Sequence, residues 1–142
     1  MTGGPQKTRS GTRVRPARVL VVDDGAVIGP EVAAILDSEH VVSVECGEDA
    51  LALLFAGQSY DLILCEVMMA GMTGPEFLAQ LEADHPTQAE RLVFMTDRIV
   101  SPVVQRLLEG VSNLCLERPF DAEGLRSLVE RRKQQPRAVQ TA

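Results

Sequence analysis

The sequence predicts an α/β protein: a doubly wound sandwich with a five-stranded parallel sheet, strand order 2-1-3-4-5, and helices on both faces. Three observations lead there. Five short apolar segments lack polar alternation, as strands covered on both faces do. Each is followed by a stretch with helical spacing, so strand and helix alternate along the chain. Polar residues gather just after strands one, three, four and five, at the edge where such sheets place their sites.

The elements follow in order. ARVLVV is the first strand, and DDG turns the chain. Ile28, Val32, Ile35 and Leu36 give helical spacing over residues 26–38, with Pro30 tolerable only near the first turn. HVVSV is the second strand. GEDALALLFAG is a helix with Gly47 before it and Gly57 at its end. DLILC is the third strand and stops at Glu66. Thr73, Pro75 and Glu76 form a helix start, with a Thr cap, a Pro in the first turn and a Glu three residues after the cap. That helix runs to about Asp84, where HPTQ breaks it. RLVFM is the fourth strand, and Ser101 and Pro102 open a helix ending near Gly110. NLCLE is the fifth strand, and Asp121 caps a last helix reaching about Lys133.

The domain is expected over residues 17–133, between disordered tails at 1–16 (basic) and 134–142. Lys7, Arg9, Arg13, Arg15 and Arg18 stand near the start without an acid, and Arg126, Arg131, Arg132, Lys133 and Arg137 near the end. The net charge is nonetheless −6, so the body is strongly acidic. Such a field opposes phosphates and argues against a nucleic-acid reader. The apolar runs are too short to span a bilayer, and no apolar leader opens the chain, so a cytoplasmic protein is expected. Cys46, Cys65 and Cys115 are odd in number and widely spaced, which argues against disulfides or zinc. Cys65 and Cys115 lie in apolar runs and are expected to be buried reduced thiols.

The predicted order brings Asp23 and Asp24, Glu66, Thr96 and Asp97, and Arg118 to one edge of the sheet. Taken singly, these residues have ordinary roles: Asp24 as a cap for the first helix, Asp97 as a loop residue before Ser101. Taken together, four acids, a hydroxyl and a guanidinium describe a site. The adjacent acids DDG do not give the spacing of phosphatases with a nucleophile at the end of strand one. No glycine-rich phosphate loop follows that strand either.

The strings VLVVDD, CGEDALALL, YDLILCEVMMAGMTGPEFL, RLVFMTD and LERPF resemble the receiver domains of bacterial two-component response regulators. The likeness covers about residues 17–133 and is strongest to receivers of hybrid histidine kinases. It implies a flavodoxin-like (βα)5 fold and a part in phosphorelay signalling. By this resemblance Asp23 and Asp24 match the metal-binding acids, and Met68 supplies a backbone carbonyl to the same Mg²⁺. Thr96 matches the switch hydroxyl and Arg118 stands at the family's Lys position. Glu66 stands where the family has its phospho-acceptor Asp. The implied partner is a histidine kinase or a downstream signalling protein, met through the face of the fourth helix, fifth strand and fifth helix.

The departures from the family matter as much as the matches. Glu66 reaches about 1.5 Å further than Asp, about one C–C bond. Misplacement by about 1 Å can cost on the order of 100-fold in a positioned reaction. The same reach puts negative oxygens near a phosphoryl position, so Glu66 imitates the phosphorylated state in part. Asp97 replaces a small residue and repels an incoming anion. Arg118 is a planar fork suited to pairing with Glu66 or Asp97. Cys115 takes the aromatic switch position, and Ala70 replaces a common Pro. The acids left over after pairing favour a cation, and Mg²⁺ is the plausible one. The reading is an atypical receiver, or pseudo-receiver, that acts by protein–protein contact, is not phosphorylated and is not an enzyme. The alternative is a working phospho-receiver that takes phosphate from a histidine kinase at a carboxylate of this pocket and catalyses its own phosphorylation and dephosphorylation.

Overall fold

Val19 and Val21 join one core layer, Leu20 and Val22 the other, and all four are fully buried. The unbroken apolar run of the first strand is therefore two alternating sets, each meeting its own helices. The computed structural model describes residues 15–135. Residues 1–14 and 136–142, which hold most of the two expected tails, lie outside the described residues.

The elements are β1 (Arg18–Val22), α1 (Ile28–Ile35), β2 (His40–Val44), α2 (Gly47–Phe55), β3 (Leu62–Glu66), α3 (Gly74–Asp84), α4 (Pro86–Ala89), β4 (Leu92–Asp97), α5 (Pro102–Leu107), β5 (Cys115–Arg118) and α6 (Ala122–Gln134). All neighbouring strands pair in parallel, in the order β2-β1-β3-β4-β5 that the sequence predicts. Ile28 and Val32 of α1 and Leu125, Leu128 and Val129 of α6 close one layer. Ala50 and Leu54 of α2 and Phe77 and Leu81 of α3 close the other.

Three helix starts carry the side-chain caps foreseen. Thr73 Oγ1 accepts from Glu76 N at 3.2 Å while Glu76 Oε1 accepts from Thr73 N at 2.9 Å, a reciprocal capping box. Ser101 Oγ accepts from Val104 N, and Asp121 Oδ2 from Gly124 N. Pro30 is the third residue of α1, inside the first turn, where no intrahelical N–H bond is lost.

The structure corrects the reading in three places. HPTQ does not merely break α3; it forms the one-turn helix α4, with Pro86 at its first position, where a missing N–H costs nothing. The expected fourth and fifth helices are therefore α5 and α6. Cys115 is exposed rather than buried. It lies on β5, an edge strand, and the neighbouring α5 has no buried residue with which to cover it. Arg15 is placed by the fold instead of trailing in a tail, because its guanidinium pairs with buried Asp61.

Candidate functional site

β1, β3, β4 and β5 end at one edge of the sheet, and the side chains just past or at those ends converge. Asp23 follows β1 and is 4% exposed. Its Oδ1 accepts from Gly25 N at 3.1 Å, and its Oδ2 accepts from Val27 N at 2.9 Å and Ile28 N at 2.8 Å. Burial works against the charge, but these three N–H groups outweigh it and hold the carboxyl below its ordinary range. Asp23, and not Asp24, thus serves the start of α1. The turn it organises takes Ala26 into the left-handed region, at φ 58°.

Asp24 is exposed and reaches across to the loop after β3, where its Oδ2 accepts from Ala70 N at 3.0 Å. Glu66 ends β3. Carboxylate oxygens of Asp23, Asp24 and Glu66 lie within 4.8 Å of one another. Burial raises the proton affinity of Glu66 most, and Asp23 adds to it through charge and a shared hydrogen bond. Arg118 opposes both, and the carboxyl comes to rest at about 7.

Arg118, the last residue of β5, spans two strands. Its Nη1 donates to Glu66 Oε2 at 3.0 Å and its Nη2 to Asp97 Oδ1 at 3.0 Å. Its side chain is 19% exposed, that of Glu66 17% and that of Asp97 70%. The inner pair is thus the one shielded from water, where both the attraction and the cost of desolvation are larger than in the outer one. Burial alone would lower the Arg118 pKa, but its two carboxylate partners raise it. Both pairings open to Arg118 from sequence exist at once, and Asp97 faces Arg118 in the sheet register.

Thr96 is buried on β4 and lines a cleft of about 220 Å³ together with Glu66, Met68, Ile99, Val104 and Arg118. Met68 sits two residues past Glu66 with its side chain exposed. Cys115 does not join the site. It opens β5 opposite Phe94, three residues before Arg118.

Two contributors escaped the sequence reading. Gly74 opens α3 so close to β3 that a Cβ there would collide with the Glu66 carbonyl oxygen and the Phe94 ring. Its N–H donates to Val67 O at 2.8 Å. The glycine in MTG is the signal that marks this close approach. The Asp24–Ala70 contact had one signal in the sequence, Ala70 in place of the common Pro, because proline has no N–H to donate.

The carboxylate set suits a hard divalent ion. Mg²⁺ takes oxygen ligands, often one or two carboxylates with waters, and three carboxylates are gathered here.

The family model described as the response regulator receiver domain matches residues 19–130. The chain is 31% identical over 130 residues to the two-component response regulator ORR5 of Oryza sativa subsp. japonica, covering 88% of this chain and 97% of that protein. It is 39% identical over 79 residues to a protein-glutamate methylesterase/protein-glutamine glutaminase of Anaeromyxobacter dehalogenans, covering 54% of this chain but only 22% of that protein. Among solved structures, the chemotaxis response regulator CheY4 of Vibrio cholerae superposes with a TM-score of 0.66 at 26% identity, covering 83% of this chain and 99% of that one. With this fold, this sheet order and acids at these strand ends, the chain belongs to the response regulator receiver domain family.

Proposed function

We propose that this receiver domain works in two-component signalling as a pseudo-receiver, through protein contacts and without being phosphorylated. The observation that carries this reading is the bridge from Arg118 to Glu66 and Asp97, both at 3.0 Å. A receiver needs a short carboxylate open to in-line attack and cationic groups free to grip phosphoryl oxygens. Here the carboxylate is longer by one methylene, and the guanidinium is already engaged twice. Asp97, largely exposed at the mouth, repels an incoming anion. The domain then catalyses neither its own phosphorylation nor its dephosphorylation.

Glu66 imitates a phosphoryl group only in part. It places one carboxylate near Arg118 where a phosphate would bring more charge and three acceptor oxygens. With a carboxyl resting at about 7, it is also partly protonated near neutral pH. Asp23, Asp24, Glu66 and the Met68 carbonyl would hold Mg²⁺. The ion, when bound, would screen these acids from one another.

A partner, either a histidine kinase or a downstream signalling protein, meets the face of α5, β5 and α6. Val103 and Leu114 are 48% and 50% exposed there, Cys115 is exposed, and no residue of α5 is fully buried. We place the domain in the cytoplasm, and among its described residues no helix is long and apolar enough to cross a membrane. The acidic body does not suit a nucleic-acid partner.

Intact mass after incubation with Mg²⁺ and a small phosphodonor tests the reading, on the wild type beside Glu66→Asp. The expected result is no mass gain on the wild type. A hydroxylamine-labile gain of one phosphoryl group on the wild type would overturn it in favour of a working phospho-receiver.

A further inference from the structure

We propose that Arg118 is the resident cation of this site and sets how tightly the acid cluster binds a divalent ion, the two cations competing for Glu66. The proposal rests on the reading of Asp23, Asp24 and Glu66 as the metal-binding set.

Glu66 is the one carboxylate that belongs to two constellations. On one side it lies within 4.8 Å of carboxylate oxygens of Asp23 and Asp24. On the other its Oε2 accepts from Arg118 at 3.0 Å. The extra methylene makes the double membership possible, because a shorter side chain at the same strand end reaches less far toward β5. The other two acids are anchored independently of Arg118. Asp23 is fixed by three backbone N–H groups and Asp24 by Ala70 N. Only Glu66 can be drawn toward an ion at the expense of an existing ion pair.

Arg118 does not have to leave when that happens. Its second contact, to Asp97 Oδ1 at 3.0 Å, is separate from Glu66 and keeps it docked at the end of β4. Its charge therefore stays beside the cluster and opposes the divalent ion, and at 19% exposure of its side chain water does little to screen it. A planar guanidinium offers a separate nitrogen to each of two carboxylates on two strands, whereas a lysine ammonium concentrates its donors on one atom.

The test is direct binding of Mn²⁺, followed on the full chain by the loss of its free-ion paramagnetic resonance signal. Wild type, Arg118→Gln and Arg118→Lys are compared, each first shown to be folded by circular dichroism. The expected result is a Kd lower by about tenfold or more in Arg118→Gln, with a smaller change in Arg118→Lys, which keeps the charge. A Kd in Arg118→Gln equal to or weaker than that of the wild type overturns the proposal. A second readout needs no substitution. In the wild type titrated with Mg²⁺, the Arg118 side-chain N–H resonances should shift as Glu66 withdraws, and resonances that stay in place at saturation overturn it too. If neither wild type nor variants take up Mn²⁺, the metal-binding reading of the cluster falls. The question of phosphorylation is judged separately by the mass measurement.

Discussion

Arg15 grips Asp61 through two contacts of 3.0 Å, although 46 residues separate them and the carboxylate side chain has no exposure at all. The same carboxylate accepts from Arg18 N at 2.9 Å, so it ties the lead-in to β1 to the lead-in to β3. One buried acid thus sits where these two neighbouring strands begin, with Val19 opposite Leu62.

Arg15→Ala should therefore destabilise the fold by about 1–3 kcal/mol, the cost of leaving a buried acceptor short of its charged donor. Arg18 N remains as a partner, which keeps the loss below that of a fully orphaned charge. Urea unfolding of the two proteins measures it, and an unchanged midpoint would mean that water replaces Arg15 without loss.

Gly74→Ala should disturb the site more than the fold. Its new methyl group meets the Glu66 carbonyl and the Phe94 ring, so α3 must retreat from the end of β3. A destabilisation of about 1–3 kcal/mol is expected, together with altered amide resonances at Glu66 and Val67. A variant with wild-type spectra at those positions would show that the close approach is dispensable.

The pH dependence of stability should carry an unusual sign near neutrality. The Glu66 carboxyl is raised from an ordinary 4.5 to about 7, so the folded state holds that proton more tightly than the unfolded chain does. Its stabilising contribution is complete below about pH 4.5 and disappears as the pH rises through about 7. With a chelator present, the wild type should lose on the order of 2–3 kcal/mol relative to Glu66→Gln across that interval. Asp23 acts in the opposite sense, losing its contribution as the pH falls through its lowered value. Parallel thermal melts of the two proteins from pH 4.5 to 7.5 decide it, and parallel curves would remove Glu66 as the titrating group.

Glu66→Asp alone should recover less phosphorylation than Glu66→Asp combined with Asp97→Ala. Shortening the acceptor frees Arg118 from Glu66 but leaves the guanidinium on Asp97 and leaves the acid at the mouth. A gain of on the order of 10-fold in the rate of phosphoryl uptake is expected from the second change, from one charge removed at the entrance. Equal rates, measured by intact mass over time, would confine the block to position 66.

Much of this was legible because buried parallel strands announce themselves. VLVV after Arg18 and LILC before Glu66 admit no polar face, and the β-α alternation then leaves few ways to order the sheet. Thr73 with Glu76 likewise specified its cap by chemistry alone. The position of Arg118 at the strand end was readable, and so was its appetite for carboxylates. That it would hold two at once depends on the register of Asp97 against Arg118, which no local pattern encodes. Cys115 misled because its neighbours are apolar; it opens an edge strand, beside a short helix with no fully buried residue. Asp61 gave no warning either, since its partner Arg15 looked like part of a solvated basic tail.

Arg15 also donates to the carbonyl of Lys133 at 3.2 Å, so the lead-in to the first strand touches the last turn of the last helix. Topologically, the described chain is a ring lacking one covalent bond. A short peptide joining those two places would leave every strand pairing intact, and the new ends could open at Gly57 or Gly110, turns whose positive φ already marks a reversal of the chain. The order in which this polypeptide is threaded is thus separable from the architecture it forms, and the acids at the far edge would not register where the thread was cut.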